Sequence, residues 1–265
     1  MGFGAPALAK LCIVRNLLYR IYEQRIERHL VGADLPQHIA VMLDGNRRWA
    51  GRSGAPAAKG HAAGASKIFE FLDWCDEVGI RNVTLYLLST DNLVKRSDDE
   101  LSELLKIIGD VAGEMANRQR WVVKLAGNRE VLPSELRSTI EQVENATRTL
   151  DKPTVNLAVG YSGRTEIADA VKSILKQHLD RGESIEQLAE AVSPEMIAEH
   201  LYTGGQADPD LIIRTSGEQR LSGFLLWQSS NSELYFEEAL WPDFRKVDFL
   251  RAVRAFARRN RRFGA

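Results

Sequence analysis

Short apolar runs alternate with longer helical patterns along the whole chain of 265 residues. The runs cover 39–43, 83–88, 122–126, 155–159, 211–214 and 233–236. Several of them are continuous rather than alternating, which is typical of parallel strands buried on both faces. A repeated order of strand and helix predicts parallel strands covered by helices. We therefore predict an α/β fold of one domain, with a central, mostly parallel six-stranded sheet flanked by helices.

The helical patterns carry start and stop signals. Ser97 and Glu100 have the spacing of a capping box, and so do Ser184 and Gln187. Gly79 follows an apolar helical face and is predicted to end that helix. No linker, repeat or low-complexity tract interrupts the chain, so we predict that 34–265 form one domain.

Residues 1–33 are predicted to be an N-terminal amphipathic helical segment. From residue 11 onward, apolar side chains share one helical face, and Arg15, Arg20 and Arg25 lie elsewhere. Two interpretations remain open for this segment. The helix packs on its own domain or a partner, or it lies on a membrane surface.

Composition excludes several classes of protein. The formal net charge of −1 gives no sign of nucleic-acid binding. No apolar run approaches the length of a membrane span. The two cysteines, Cys12 and Cys75, have neither metal-site spacing nor the pattern of a disulfide framework. We expect a cytoplasmic protein, with peripheral contact at the inner face of the cell membrane as the alternative for the N-terminal segment.

The first strand is followed by a run of residues that can bind an anion: Asp44, Gly45, Asn46, Arg47 and Arg48. A glycine turn entering a helix presents backbone N–H groups to phosphate, and the two arginines add charged donors. An aspartate at the end of a buried strand is costly unless it is paired or metal-bound, and Mg²⁺ is the natural bridge to phosphate. The alternative is a tight turn with a capping aspartate.

Polar residues also follow the second and fourth strands. "STDN" runs from Ser89 to Asn92, with Lys95 and Arg96 close behind, and "GYSGR" ends at Arg164. The first of these is either part of a site or a loop that caps the next helix. The glycines of the second either cradle an anion or form a close-packed turn between strand and helix.

The fifth strand leads into "RTSGEQRLSG", where Arg214, Arg220 and Ser222 are suited to surround a multiply charged anion, and Glu218 is placed to orient an arginine. A surface loop of salt bridges is the alternative. Two arginine-bearing loops beside an apolar wall favour an amphiphile such as a prenyl diphosphate. A nucleotide fits less well, because the chain has neither G-x-x-x-x-G-K-[ST] nor G-x-G-x-x-G.

Together, "HIAVMLDGNRRWA", "GHAAGASK", "LYLLSTDN", "VGYSGR", "DPDLIIRTSGEQRLSGFLLWQ" and "ELYFEEALWPDF" resemble the cis-prenyltransferase family of the undecaprenyl diphosphate synthase type, over about 36–264. The overall look is most similar to short-chain actinobacterial members, the (2Z,6E)-farnesyl diphosphate synthases. The resemblance implies a homodimer with an apolar tunnel. It also implies Mg²⁺-dependent condensation of isopentenyl diphosphate with an allylic diphosphate, geranyl diphosphate for a short product.

The resemblance also implies roles for individual residues. It makes Asp44 and Asn92 catalytic, and it assigns Asp44 and Glu233 to Mg²⁺. The residues that it implies for substrate binding are Gly45, Asn46, Arg47, Arg48, Trp49, His61, Leu87, Ser89, Arg214, Arg220, Ser222 and Arg262, the last in a tail that reaches across the dimer. The proton acceptor stays open among Asn92 with Ser89, Asp44 and a diphosphate oxygen.

Three departures from the family's pattern bear on the site. Arg47 replaces a glycine, and Ala57 stands where long-chain members often carry a phosphate-binding arginine. We hypothesise that Arg47 compensates for that arginine. Lys95 replaces a common arginine, which leaves the details of phosphate binding at that loop open.

Product length is predicted from Leu87, which stands where long-chain members tend to have a smaller residue. Because side chains alternate along a strand, Leu87 is expected to share a face with Leu85. We hypothesise that Leu87 blocks growth of the product; ordinary core packing is the alternative. The rival function is a long-chain synthase of about C50–C55 for a cell-wall lipid carrier. Asp44 argues against a non-catalytic partner subunit, and no DDxxD motif supports a trans-type synthase.

Overall fold

The six apolar runs form one β-sheet in the computed structural model, which describes residues 19–259. The strands are β1 (His38–Met42), β2 (Asn82–Ser89), β3 (Val122–Ala126), β4 (Thr154–Tyr161), β5 (Leu211–Arg214) and β6 (Glu233–Phe236). They lie in the order β3-β4-β2-β1-β5-β6. Within the described residues every neighbouring pair is parallel. The predicted α/β fold is confirmed, and the sheet has no antiparallel pair in this part of the chain.

Helices cover the sheet. They are α1 (19–30), α2 (Asn46–Gly51), α3 (Ala57–Val78), α4 (Thr90–Lys95), α5 (Asp98–Arg118), α6 (Ser134–Thr147), α7 (Gly163–Asp180), α8 (Ile185–Ala191), α9 (Pro194–Glu199) and α10 (Lys246–Ala257). Short 3-10 turns lie at Arg129–Val131, Gln228–Asn231 and Trp241–Asp243.

The direction in which strands are added to the sheet reverses at β1. The chain builds β2, β3 and β4 on one side of β1 and then returns to its other side with β5 and β6. Met42 of β1 pairs with Arg214 at the end of β5. In open α/β sheets, ligands bind beyond the carboxyl ends of the strands at such a reversal. The fold therefore points to the loops that follow β1 and β5.

Strand β1 is buried on both faces, as its continuous apolar sequence predicts. Ile39 and Val41 join the larger core cluster, which contains residues of α3, α5 and α10. Ala40 and Met42 point to the smaller cluster on the other face. Side chains that alternate between two cores require a period of two, so this strand tolerates no slip of one residue.

Two of the three predicted helix signals are confirmed. Ser184 and Gln187 form a capping box, and Gly79 ends α3 with φ of 85°. The third signal marks the start of α5 correctly, with Ser97 as its N-cap, but the capping box itself is not formed, because Ser97 makes no side-chain capping bond. Glu100 instead forms an ion pair with Arg96. A charge-assisted bond to a guanidinium is stronger than one to a backbone N–H, which explains the choice.

The described part of the N-terminal segment packs on the same domain. Ile26 and Leu30 of α1 are buried in the larger core cluster. The guanidinium of Arg245 lies 4.6 Å from the ring centroid of Tyr19. Residues 1–18, which carry the rest of the predicted amphipathic pattern, lie outside the described residues. Across 19–259, no helix combines the length and apolar character needed to span a membrane.

Glycines let α3 approach the turn that follows β1. A Cβ on Gly60 would overlap the backbone carbonyl oxygen of Asn46, and a Cβ on Gly64 would lie 2.9 Å from the side-chain Cγ of the same asparagine. The position of Asn46 therefore depends on the absence of a side chain at Gly60 and Gly64. The turn that carries Asp44 depends on it in the same way.

Replacing Gly60 with alanine is expected to destabilise the protein by about 2 kcal/mol, because the new methyl group meets backbone rather than a side chain that can move. Gly113→Ala on α5 is the matched control, since nothing lies within 4 Å of a Cβ built there. That variant is expected to gain about 0.5–1 kcal/mol from helix propensity. Urea unfolding measures both, and a shift of the two variants in the same direction would contradict this account of the packing.

Candidate active site

A cavity of about 1140 Å³ opens at the carboxyl ends of β1, β2 and β5. Its inner part is apolar, and α3, β2 and α5 supply Ile68, Leu87, Leu104, Ile107, Ile108 and Val111. Its mouth is polar and contains most of the predicted site. The predicted residues that line the cavity as a whole are Asp44, Gly45, Asn46, Arg47, Arg48, His61, Leu87, Ser89, Asn92, Arg214, Arg220 and Ser222.

An ion pair joins the loops that follow β1 and β5. The Nη2 of Arg214 donates to the Oδ2 of Asp44 at 2.9 Å. The Nη1 of Arg214 donates to Ser222 Oγ at 3.0 Å and to the carbonyl oxygen of Arg220. Arg214 is 4% exposed, and its Nε is buried without a partner. One buried guanidinium thus contacts three other predicted residues, one in the loop after β1 and two in its own loop.

Sequence reasoning missed Thr215, which holds the same two loops from behind. Its Oγ1 accepts the backbone N–H of Asp44 at 3.0 Å. The same hydroxyl lies 2.8 Å from the carbonyl oxygen of Asp44 and 3.1 Å from that of Met42. Its single proton is therefore shared by these two acceptors. No local sequence pattern signals this role, since the bond joins residues 171 positions apart.

The backbone after β5 is unusually strained. Ser216, Ser222 and Leu225 have φ of 82°, 48° and 47°, in the left-handed region that non-glycine residues rarely adopt. Gly217 and Gly223 in the same loop also have positive φ. Such residues persist where the surroundings determine the backbone, and they concentrate at binding and catalytic sites.

The turn that follows β1 has equally little freedom. Gly45 has φ of 108°, and a Cβ there would lie 2.8 Å from Cδ2 of Leu240. Asn46 donates from Nδ2 to the carbonyl oxygen of Leu43 at 3.2 Å, and its Oδ1 is buried without a partner. Arg48 reaches over this turn, with one guanidinium nitrogen 3.9 Å from Asp44 and another 3.9 Å from Glu218.

A second charged cluster lies across the mouth of the cavity. Glu100 forms an ion pair with Arg96, and its Oε1 lies 4.0 Å from Nε of Arg47. His61 Nε2 lies 3.3 Å from the same Glu100 oxygen and 3.1 Å from Nη1 of Arg96. Burial lowers the pKa of His61, and the contact with Glu100 opposes this only in part. A neutral His61 can accept the hydrogen bond that Arg96 offers.

The loop after β2 places Arg96, rather than Lys95, at the cavity. Lys95 is 72% exposed at its side chain and pairs with Asp91, whereas Arg96 is only 12% exposed and lines the mouth. The cation that lines the mouth at this loop is therefore Arg96 and not Lys95.

Ser89 and Asn92 lie at the cavity, and Ser89 also has a local role. Its hydroxyl accepts the backbone N–H of Asn92 at 3.1 Å and caps α4. The interpretation of this run as a helix cap is confirmed, and its interpretation as part of a site stays a prediction that its place at the cavity supports.

Two of the predicted residues that the structure describes, Trp49 and Glu233, are not brought to the cavity. The indole N–H of Trp49 donates to Asp243 at 2.8 Å, on the outside of α2. Glu233 begins β6, in register with Leu211 at the amino end of β5, and it forms an ion pair with Arg259. The site lies at the opposite end of the sheet, so Glu233 and Asp44 do not meet within one chain. Arg262 lies outside the described residues.

Asp44 is the carboxylate whose surroundings fit Mg²⁺. Within the described residues, no three side chains of His, Cys, Asp or Glu are grouped closely enough to form a metal site by themselves. Mg²⁺ commonly binds to one or two carboxylates together with substrate phosphates. Asp44 uses Oδ2 for Arg214, and its Oδ1 lies 3.9 Å from Nη2 of Arg48, beyond hydrogen-bond distance, so Oδ1 has room for such a role.

Comparison with known proteins identifies the family. The family model described as "undecaprenyl diphosphate synthase" matches residues 42–264. The chain is a cis-prenyltransferase. A (2Z,6E)-farnesyl diphosphate synthase of Thermobifida fusca is 54% identical to it, over 95% of this chain and 99% of the relative. An isoprenyl transferase 1 of Streptomyces avermitilis is 53% identical, over 95% and 97%.

A solved structure agrees with this assignment. The lavandulyl diphosphate synthase of Lavandula x intermedia, in complex with dimethylallyl diphosphate, superposes with a TM-score of 0.80 at 31% identity and covers 87% of this chain and 99% of that one. The predicted resemblance is confirmed, and this cis-prenyltransferase carries both loops of its site within the matched residues.

Acidification is expected to weaken the fold of this cis-prenyltransferase at His61. Its pKa in the folded protein lies below the value of about 6.5 in an unfolded chain, so the folded state binds fewer protons there. The resulting stability is complete above the unfolded value and is lost as pH falls through it towards the folded value.

Urea unfolding at about pH 7.5 and about pH 5.5 measures this loss. The wild type is expected to lose more free energy of unfolding than His61→Gln over that interval. His38 is also buried with a lowered pKa, but it is present in both proteins and cancels in the comparison. If the wild type and His61→Gln lose equal free energy of unfolding between the two pH values, protonation of His61 does not destabilise the folded state.

Proposed function

We propose that this enzyme condenses one isopentenyl diphosphate with geranyl diphosphate and releases (2Z,6E)-farnesyl diphosphate and pyrophosphate. The observation that carries the proposal is a single cavity with six arginines at its mouth and an aliphatic interior. Two diphosphates match the charge of the mouth, and a prenyl chain matches the interior. Relatives that are 50–54% identical over most of the chain are named (2Z,6E)-farnesyl diphosphate synthase, which supports the short product.

The allylic diphosphate is assigned to the turn that begins α2. Arg47 and Arg48 project from that turn, and His61 and Arg96 stand opposite. When the C1–O bond of the allylic substrate breaks, negative charge accumulates on the leaving diphosphate. Cations that are already in position stabilise this charge without reorganisation, which lowers the barrier. Arg47 is also proposed to replace the arginine that long-chain members carry at the position of Ala57.

The isopentenyl diphosphate is assigned to the loop after β5. Arg220 and Ser222 line the cavity there, and Arg214 holds both in place through its two hydrogen bonds. Holding the second substrate in one orientation makes the reaction effectively unimolecular. Carbon 4 of isopentenyl diphosphate bonds to C1 of the allylic group, C2 loses a proton, and the electrons of the C–H bond form the new double bond.

Mg²⁺ is assigned to Asp44 and to diphosphate oxygens. When bound, the ion neutralises phosphate charge and favours departure of the diphosphate. Arg214 keeps the carboxylate of Asp44 in place through the bond to Oδ2. In this proposal Asn92 stays close to the reacting carbons, where it lines the cavity beside Ser89.

Product length is assigned to Leu87. Leu85 and Leu87 both pack against the larger core cluster, as alternation along β2 predicts, and the register of β2 against β4 shifts after Tyr86. Leu85 is fully buried, whereas Leu87 is half-buried and lines the cavity beside Tyr86 and Leu88. A leucine on the cavity wall shortens the space for the growing chain.

Two further parts of the proposal rest on the sequence. We propose a homodimer, as the family resemblance implies, and a cytoplasmic enzyme, with peripheral membrane contact of the N-terminal segment 1–33 as the alternative to its packing on the domain. The face of α1 that carries Ile26 and Leu30 is buried against the core and is not available for such contact.

Purified protein incubated with Mg²⁺, labelled isopentenyl diphosphate and geranyl diphosphate is expected to form a C15 product. After dephosphorylation, chromatography against (Z,E)- and (E,E)-farnesol identifies its length and geometry. A ladder extending to about C50–C55 would support the long-chain alternative instead. No product from either geranyl or farnesyl diphosphate would overturn the proposed reaction.

Leu87→Ala is expected to yield products longer than C15, because about three carbons' worth of side-chain volume leaves the cavity wall. Leu105→Ala on α5 is the control, since Leu105 is also half-buried against the core but does not line the cavity. It should keep the wild-type product. An unchanged C15 product from folded Leu87→Ala would assign Leu87 to packing alone.

A further inference from the structure

Most arginines at the mouth of the cavity already have a carboxylate partner. Asp44 pairs with Arg214 and Arg48, Glu218 pairs with Arg48 and Arg220, and Glu100 pairs with Arg96 and Arg47. Each of these acids is therefore shared between two arginines. A shared carboxylate leaves each cation partly uncompensated, which suits a site that must accept more negative charge.

Arg164 is the exception among the six arginines of the mouth. It lines the same cavity and is exposed there. Among residues 19–259, no carboxylate oxygen lies within 4.0 Å of its guanidinium, although each of the other five has such a neighbour. Within the described residues, Arg164 is thus the arginine of the mouth whose positive charge has no neighbouring carboxylate.

The position of Arg164 is tied to the loop after β5. The backbone N–H of Gly163 donates to the carbonyl oxygen of Gly223 at 2.9 Å. A Cβ on Gly163 would lie 2.6 Å from that oxygen, so only glycine permits this approach. Arg164 follows directly, and it therefore starts beside Ser222, which was assigned to isopentenyl diphosphate.

A buried carboxyl group holds this junction rigid. Glu166, in the first turn of α7, is fully buried and accepts hydrogen bonds from the hydroxyl of Tyr161 and from Nε2 of Gln228 at 3.0 Å. The Tyr161 oxygen in turn accepts the backbone N–H of Leu225 at 3.1 Å. Hydrogen bonds thus fix the start of α7 against the loop after β5. Arg164 projects from this fixed junction, so its backbone is already in position for a ligand at that loop.

We propose that Arg164 binds the diphosphate of isopentenyl diphosphate as a further contact beside Arg220 and Ser222. This inference rests on the proposed function and deepens it. Arg47, Arg96 and His61 lie with Glu100 on the α2, α3 and α5 side of the mouth, whereas Arg164 stands on the α7 side. The guanidinium of Arg164 is accordingly placed to bind isopentenyl diphosphate, the homoallylic substrate, rather than the allylic diphosphate.

Calorimetric titration with isopentenyl diphosphate alone tests the inference, because that substrate does not react without an allylic partner. Arg164→Met is expected to bind it about tenfold more weakly than the wild type, and Arg164→Lys to recover part of the loss. Lys176→Met removes an exposed cation from the same helix, away from the cavity, and should bind like the wild type. Equal thermal stability of the variants excludes a folding defect.

Steady-state kinetics gives an independent readout. The KM for isopentenyl diphosphate should rise about tenfold in Arg164→Met, with smaller changes in kcat and in the KM for geranyl diphosphate. A rise confined to geranyl diphosphate would overturn the assignment of Arg164 to the homoallylic substrate. Equal binding of isopentenyl diphosphate by Arg164→Met and the wild type would overturn the inference and leave the proposed function intact. Absence of binding by the wild type itself would overturn both.

Discussion

The ion pair between Asp44 and Arg214 is the contact on which the rest of the site depends. It joins the ends of β1 and β5, the two strands that flank the reversal of strand order. Arg214 also binds Ser222 and the backbone of Arg220, so a buried guanidinium with several charged and polar partners organises both halves of the mouth. Burying such a charge is costly unless all its neighbours are in place, and removal of one partner leaves the other uncompensated. Thr215 secures the same pair of loops through the backbone.

Electrostatics at the mouth differ sharply from those of the whole molecule. The chain carries a formal net charge of −1, yet six arginines converge on one cavity. Their acidic neighbours are too few to neutralise them, so the free cavity retains positive potential. Clefts of one charge sign focus the field and accelerate capture of oppositely charged ligands. The apolar interior behind the mouth adds low dielectric surroundings, which strengthen these interactions relative to those in water.

The strands and the centre of the site were predictable because both follow from local pattern and from one rule of geometry. Six apolar runs became six strands, and the rule that carboxyl ends of parallel strands meet at one edge brought Asp44 and Arg214 together. The features that could not be predicted depend on contacts outside the local pattern. Glu100 pairs with Arg96 and with His61 of α3 instead of completing a capping box, and the register shift of β2 after Tyr86 depends on pairing with a strand about 70 residues later. Glu233 lies at the amino end of its strand, which its motif alone does not reveal, and its assignment to Mg²⁺ stays a prediction.

The strand order has a consequence for how the chain is made. β1 is the first strand to be synthesised, but one of its two neighbours, β5, begins only at Leu211. Until then one edge of a strand that is apolar from Ile39 to Met42 has no partner, and unpaired edges of that kind invite aggregation. The partner of Asp44, Arg214, lies in the same strand β5. Pairing of the open edge of β1 and formation of the Asp44–Arg214 ion pair therefore both require that β5 has been synthesised. The site therefore needs residues from both halves of the matched sequence before it can form.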